Sequence, residues 1–207
     1  MPRDSTETRA RLQVEAERLF AEQGVWRAGV GEIVAAAGQR NASALTYHFG
    51  SREGVLDRIL AGHEDSIDAH RGELLEGLGD DPPTHAVLDA LVRPMSARLA
   101  HERGRHYLRI VAQLTSRFSL WREVRSGLEH RHLLQALDLL ERRPAHIPVA
   151  VRRERLVAMM QLMTSSLAER ARLIDASGEV ELSAADYEAN LTDMLAGVLE
   201  APVALPA

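Results

Sequence analysis

AGQRNASALTYHFGSREGVL, residues 37–56, is the stretch on which the reading of this chain turns. Gly38 offers the positive φ that ends a helix without strain. One short helix is expected before it, from about Val30 to Ala37 with Ile33 and Ala37 facing inward, and a second after it, from about Asn41 to Tyr47. Two short helices around a glycine-containing turn make a helix-turn-helix. There the second helix presents its N-terminal residues to base edges in the major groove. Arg40 suits guanine and Asn41 suits adenine, each through two hydrogen bonds. Ala42 and Ser43 are small enough to let the backbone come close to a duplex. Leu45 and Phe49 turn back and hold the helix on its domain, while Tyr47, His48 and the helix start at Ser51 can donate to phosphates. Short helices and glycine turns also occur in all-α proteins that never meet DNA. Residues 1–58 hold eight Arg and eight acidic residues, so the segment is neutral as a whole.

Working outward, the chain reads as helix after helix, with no convincing period-two alternation. A first helix is expected with Asp4 or Ser5 as its cap, with Leu12, Ala16, Leu19 and Phe20 on one face, and with Gly24 ending it. A long helix starts near Ser51 and carries Leu56, Ile59, Leu60, His63, Ile67, Leu74 and Leu78; GDDPP at 79–83 breaks it. Thr84 is expected to cap the next helix, and Pro94 to kink or break it. Further helices carry Tyr107 to Leu114, then about Leu120 to Arg142, then Leu156 to Ile174 before Gly178. The last is capped by Ser183 with Asp186 three residues on. Three short helices therefore precede several long ones, with the join inside the fourth.

Composition narrows the function classes. The chain has 207 residues, 45% of them hydrophobic and 27% charged, with a net charge of −5. There is no cysteine, hence no disulfide, thiolate metal site or thiol nucleophile. No apolar run is long enough to span a membrane, and MPRDSTETRARL has no signal-peptide core, so a cytoplasmic location is expected. All 25 basic residues are Arg. Residues 93–125 hold eight Arg and only two acids, whereas residues 175–200 hold seven acids and no base. The Arg excess either attracts an anionic ligand or pairs with the acidic stretch at 57–89.

RLFAEQG closing the first helix, IVAAAG in the second and YHFGSREGVL bridging the third and fourth together resemble the N-terminal domain of the tetracycline-repressor (TetR) family of transcriptional regulators. The resemblance covers about residues 5–60, and the remainder agrees in length and helical pattern. It implies an all-α fold: a helix-turn-helix DNA-binding domain over residues 1–50, and a larger helical ligand-binding and dimerisation domain over 51–207 that includes the shared fourth helix. It implies a homodimer on a palindromic operator in double-stranded DNA, repression relieved by a small-molecule effector, and no cofactor. The family's base-reading positions fall on Arg40, Asn41, Ala42, Ser43 and Thr46, and its phosphate contacts on Tyr47, His48, Ser51 and Arg52. The chain departs from the pattern at Thr46, where an aromatic is usual, and at Gly29 and Gly31, where a Ser or Thr cap is usual. The turn and third helix also read as one residue long.

A pocket is expected among the middle helices, from His63, Ile67, Met95, Leu99, Tyr107, Ile110, Gln113, Leu114, Phe118 and Trp121, which combine apolar walls with a few polar groups. Most could equally be core at helical spacing. The dimer interface is expected on Leu156, Met159, Met160, Met163 and Leu167 of one helix and Tyr187, Leu191, Met194, Leu195 and Val198 of the last; the same stripes could instead close the protomer's own core. Catalysis has little to stand on. HERGRH at 101–106 spaces its histidines five apart rather than four, EHRH at 129–132 puts its two on divergent sides of a helix, and no phosphate loop or nucleophile elbow is present. A helical ligand-binding protein that has lost DNA binding is the remaining alternative.

Overall fold

The computed structural model describes residues 2–79, 81–115 and 130–203, with side chains from residue 5 onward. Among the described residues the elements are α1 Pro2–Glu22, α2 Val30–Ala36, α3 Ser43–Phe49, α4 Arg52–Glu76, α5 Thr84–Ser96, a 3-10 turn Ala97–Ala100, α6 Glu102–Thr115, α7 Arg131–Glu141, α8 Val149–Ser177 and α9 Ala184–Glu200, with no strand. The all-α reading holds.

Local chemistry explains most helix ends. Gly38 follows α2 at φ +70°, and Gly178 ends α8 at φ +68° with its N–H on the Ile174 carbonyl at 3.0 Å. The Ser51 hydroxyl accepts the Gly54 N–H at 3.0 Å and starts α4; the Ser183 hydroxyl accepts the Asp186 N–H at 3.1 Å and starts α9. Other boundaries differ from expectation. Helix α1 begins at Pro2, so Asp4 and Ser5 lie inside it rather than capping it. Helix α3 starts two residues later than expected. Thr84 is the first residue of α5, behind Pro83. Pro94 is accommodated within α5, which tightens into the 3-10 turn three residues on. Helix α7 starts at Arg131; residues 120–129 of the long helix expected there lie outside the described ones.

Two hydrophobic cores organise these helices. The N-terminal core gathers Leu12, Ala16, Leu19 and Phe20 of α1, Ile33 and Val34 of α2, Leu45 of α3 and Val55, Leu56 and Ile59 of α4, and it also takes Ile110 from α6 with Leu114 against it. The C-terminal core gathers Ile67 and Leu75 of α4 with apolar residues of α5 to α9. Leu60 of α4 packs on both cores. The second half of α6 also belongs to the N-terminal core.

Candidate DNA-binding face and effector domain

The reading head is built from the turn at Gly38. The Gln39 N–H returns to the Val34 carbonyl at 2.9 Å and closes the end of α2. The Asn41 side-chain oxygen then accepts the Ser43 N–H at 2.9 Å, so Asn41 holds the first N–H of α3 from just before its N-cap Ala42. Leu45 is 1% exposed in the core behind. Phe49 packs against that core with the Arg9 guanidinium 5.5 Å above its ring. Everything on the other side is open: Arg40, Asn41, Ala42, Ser43 and Thr46 are exposed, and Tyr47 is 80% exposed. His48 is half-buried, edge-on to the rings of Tyr47 and Phe49 at 5.0 and 6.3 Å.

Two groups near this face have other work. Arg52, expected on a phosphate, lays its guanidinium 4.8 Å over the Phe20 ring and donates from Nε to the Ala28 carbonyl at 2.9 Å. It clamps the α1–α2 loop to the start of α4 and is not free to reach a phosphate. At the α2 N-terminus the Glu32 carboxylate accepts the Gly29 N–H at 2.8 Å. This is the carboxylate half of a capping box; the hydroxyl half is absent because Gly29 has no side chain, and the carboxylate repels an anion there.

The residues expected to line a pocket divide into two groups. Ile67, Met95 and Tyr107 are buried in the C-terminal core, with Leu99 packed on it. Ile110 and Leu114 point instead into the N-terminal core. Gln113 fastens the two parts: its side-chain oxygen accepts the Val25 N–H at 2.7 Å, and its amide donates to the Phe20 carbonyl at 3.2 Å. His63 sits at the same joint, its Nε2 2.7 Å from the Glu17 carboxylate and its ring stacked on Tyr107 at 4.6 Å. Phe118 and Trp121 lie outside the described residues.

Polar groups concentrate along α4. A groove of about 620 Å³ runs between α4 and the start of α7, lined by Asp57, Glu64, Asp65, Asp68, His130 and His132 among others. Burial pushes the Glu64 carboxyl above its ordinary value, against the pull of His130 at 3.0 Å. Asp68 accepts the N–H groups of His132 at 3.1 Å and Leu133 at 2.9 Å, so a carboxylate on α4 caps α7. Burial opposes its ionisation, but these bonds and the Arg71 guanidinium together hold it below the ordinary carboxylate value. Arg71 itself is buried, which pulls its guanidinium down despite Asp68 at 3.0 Å. Burial likewise pushes the Tyr107 hydroxyl up. Among the described residues no three His, Asp or Glu side chains are grouped to hold a metal ion, and no helix is long and apolar enough to cross a membrane.

Residues 14–59, which hold this reading head, match the family model described as "Bacterial regulatory proteins, tetR family". The chain is 26% identical over 203 residues to the HTH-type transcriptional regulator AcrR of Shigella flexneri, covering 92% of this chain and 90% of that protein. The N-terminal domain of this chain thus matches the TetR family. Its relatives are transcriptional regulators, not enzymes. Among solved structures, "Probable transcriptional regulatory protein RHA5900" is similar at a TM-score of 0.52 and 25% identity, covering 96% of this chain and all of that one. NalD of Pseudomonas aeruginosa, described as the secondary repressor of the MexAB-OprM multidrug efflux pump, shares the fold at a TM-score of 0.58 and 20% identity, over 92% of this chain and 96% of that one.

In this chain the expected interface residues are mostly interior. Leu156, Met159, Met160, Met163, Leu167, Tyr187, Leu191 and Leu195 are buried within the protomer's own core. Of the ten, Met194 is 40% exposed and Val198 half-buried. The strongest apolar stripe of each helix faces inward, and a weaker stripe is exposed, Ala158, Ser165 and Leu173 on α8 and Met194 and Gly197 on α9, flanked by Leu162 and Val198, which are half-buried against the core. Sequence reasoning also missed Glu17 and Arg103, whose pairing joins α1 to α6 at 2.7 Å. A single acid beside Ala16 on a helix carries no signal that its partners lie on two other helices.

Proposed function

We propose that this chain is a homodimeric repressor that reads a palindromic operator with α3 and releases it when a small molecule binds the C-terminal helices. The observation that carries the reading is the free polar edge from Arg40 to Tyr47, fixed from behind by Leu45. One neutral module binds weakly, and joining two raises the effective concentration of the second. The outward stripe of α8 and α9 supplies the second copy's seat. Gly197 supports this: a Cβ there would meet nothing in its own protomer, so the lack of a side chain serves no contact within the chain. The effector is assigned to the α4–α7 groove and the core behind it around Ile67, Met95, Leu99 and Tyr107. Because α4 serves both cores, a tilt forced on it alters the separation of the two α3 helices and weakens operator binding.

Selection of bound DNA from a random pool, followed by gel shifts across a salt series, tests the proposal. A palindrome with half-sites about 34–36 Å apart and an affinity that falls steeply with salt are expected. Recovery of no common sequence, with equal affinity for all DNA, would overturn it.

A further inference from the structure

Three side chains from three helices meet where the two cores join, and none of them reads DNA. Glu17 of α1 is 0% exposed. One of its carboxylate oxygens lies 2.7 Å from Nε2 of His63 on α4, and the other accepts from Nε of Arg103 on α6 at 2.7 Å. The opposite side of the story is the His63 ring, which lies nearly parallel to Tyr107 at 4.6 Å and an interplanar angle of 23°. Tyr107 is buried in the C-terminal core beside residues assigned above to the effector. A buried carboxylate holds its place through its charged and hydrogen-bonded partners, because leaving it without them is strongly unfavourable.

The placement of these contacts has a mechanical meaning. Helix α6 grips α1 through Arg103 on Glu17 and, about 15 Å further along α6, through Gln113 on Phe20 and on Val25 just past the helix end. Apolar packing already seats α1 on α4 and α6 in the N-terminal core. His63, reaching in from α4, adds the polar tie that links this seat to Tyr107. Helix α1 carries Leu12, Ala16 and Phe20 into the core that seats Leu45 of α3, so the setting of α1 is the setting of the reading head.

We infer that Tyr107, His63 and Glu17, braced by Arg103, form the relay through which the C-terminal domain sets the orientation of the reading head. Glu17 and His63 are positioning residues in this scheme. The inference rests on the proposed regulator for its biological use, but the orientation itself is measurable without DNA.

The chain contains no cysteine, so Ala35→Cys and Ala145→Cys, both at exposed positions, accept a donor and an acceptor dye cleanly. Single-molecule energy transfer within one labelled protomer, diluted in unlabelled full-length chain, reports head orientation whether or not the protein dimerises. The parent gives one narrow distribution. Glu17→Gln removes the charge; His63→Phe keeps a ring on Tyr107 but loses Glu17; His63→Gln keeps a donor but loses the stack. Each is expected to widen or shift the distribution at least twofold relative to the parent width, and to lower affinity for the selected operator about fivefold or more. Arg103→Ala removes an arm that is half exposed, leaves the core intact and gives a smaller change in the same direction. Arg11→Ala, which breaks only a surface pair with Glu7 on the same helix, leaves the distribution unchanged. Parent-like distributions in Arg103→Ala and in the folded relay variants would overturn the relay. Altered distributions in a protein that selects no operator would sink the regulator and leave the relay standing.

Discussion

Asn41, one residue before the N-cap Ala42, holds the first N–H of α3 with its side-chain oxygen and is itself exposed. Asn41→Ala is expected to lower stability by about 1 kcal/mol in thermal denaturation, because the Ser43 N–H loses its acceptor. Asn41→Asp keeps the acceptor and the stability, but it places a negative charge against the duplex and should abolish operator binding in a gel shift. Arg40→Ala is expected to relax preference at one base pair by about 1–3 kcal/mol, measured as affinity for single-base operator variants. Tyr47→Ala is expected to weaken all sequences alike. Identical behaviour of these two variants would contradict the division between base reading and phosphate anchoring. The open polar edge was legible in residues 37–56, since small and polar side chains surround two apolar anchors. The capping role of Asn41 and the inward clamp of Arg52 were not, because each depends on where one flexible side chain finds its partner.

Helices α4 and α7 touch most closely at Gly72, where an added Cβ would lie 2.6 Å from the His132 ring. Moving that ring aside costs its contact with the Asp68 carbonyl, 2.9 Å from Nδ1. Gly72→Ala is therefore expected to destabilise by about 1–3 kcal/mol in chemical denaturation, as overpacking does. Asp68 makes the same joint sensitive to acid. Its carboxyl titrates below its ordinary 3.8 in the folded chain, so its contribution is present above that pH and is lost as the pH falls through the folded value. The stability gap between the parent and Asp68→Asn should shrink when denaturation is followed from pH 5 down to about 3. Helix ends governed by neighbours in sequence, at Gly38, Ser51, Gly178 and Ser183, were readable in advance. A cap donated from 64 residues away was not, because no local pattern announces it.

At the scale of the molecule, the outward stripe of α8 and α9 is the proposed meeting surface. Met194→Arg is expected to leave the monomer folded and to shift sedimentation from dimer to monomer, with operator affinity reduced about 10²–10⁴-fold as the linked second head is lost. Unchanged sedimentation would move the interface elsewhere. The apolar periodicities of these helices were plain in the sequence but were assigned to the wrong neighbour, because periodicity reports that a face is buried and not by what.

Ile110 and Leu114 lodge in the N-terminal core although its last buried member from the other helices, Ile59, lies 51 residues before Ile110 (110 − 59). The head is therefore not a detachable module. A fragment of residues 1–80 would carry an unfilled hollow where α6 enters, and should show little helical circular dichroism. A chimera that grafts this head onto a foreign sensor must import a replacement for those two side chains. Sensor and head have to be inherited, and engineered, as a matched pair.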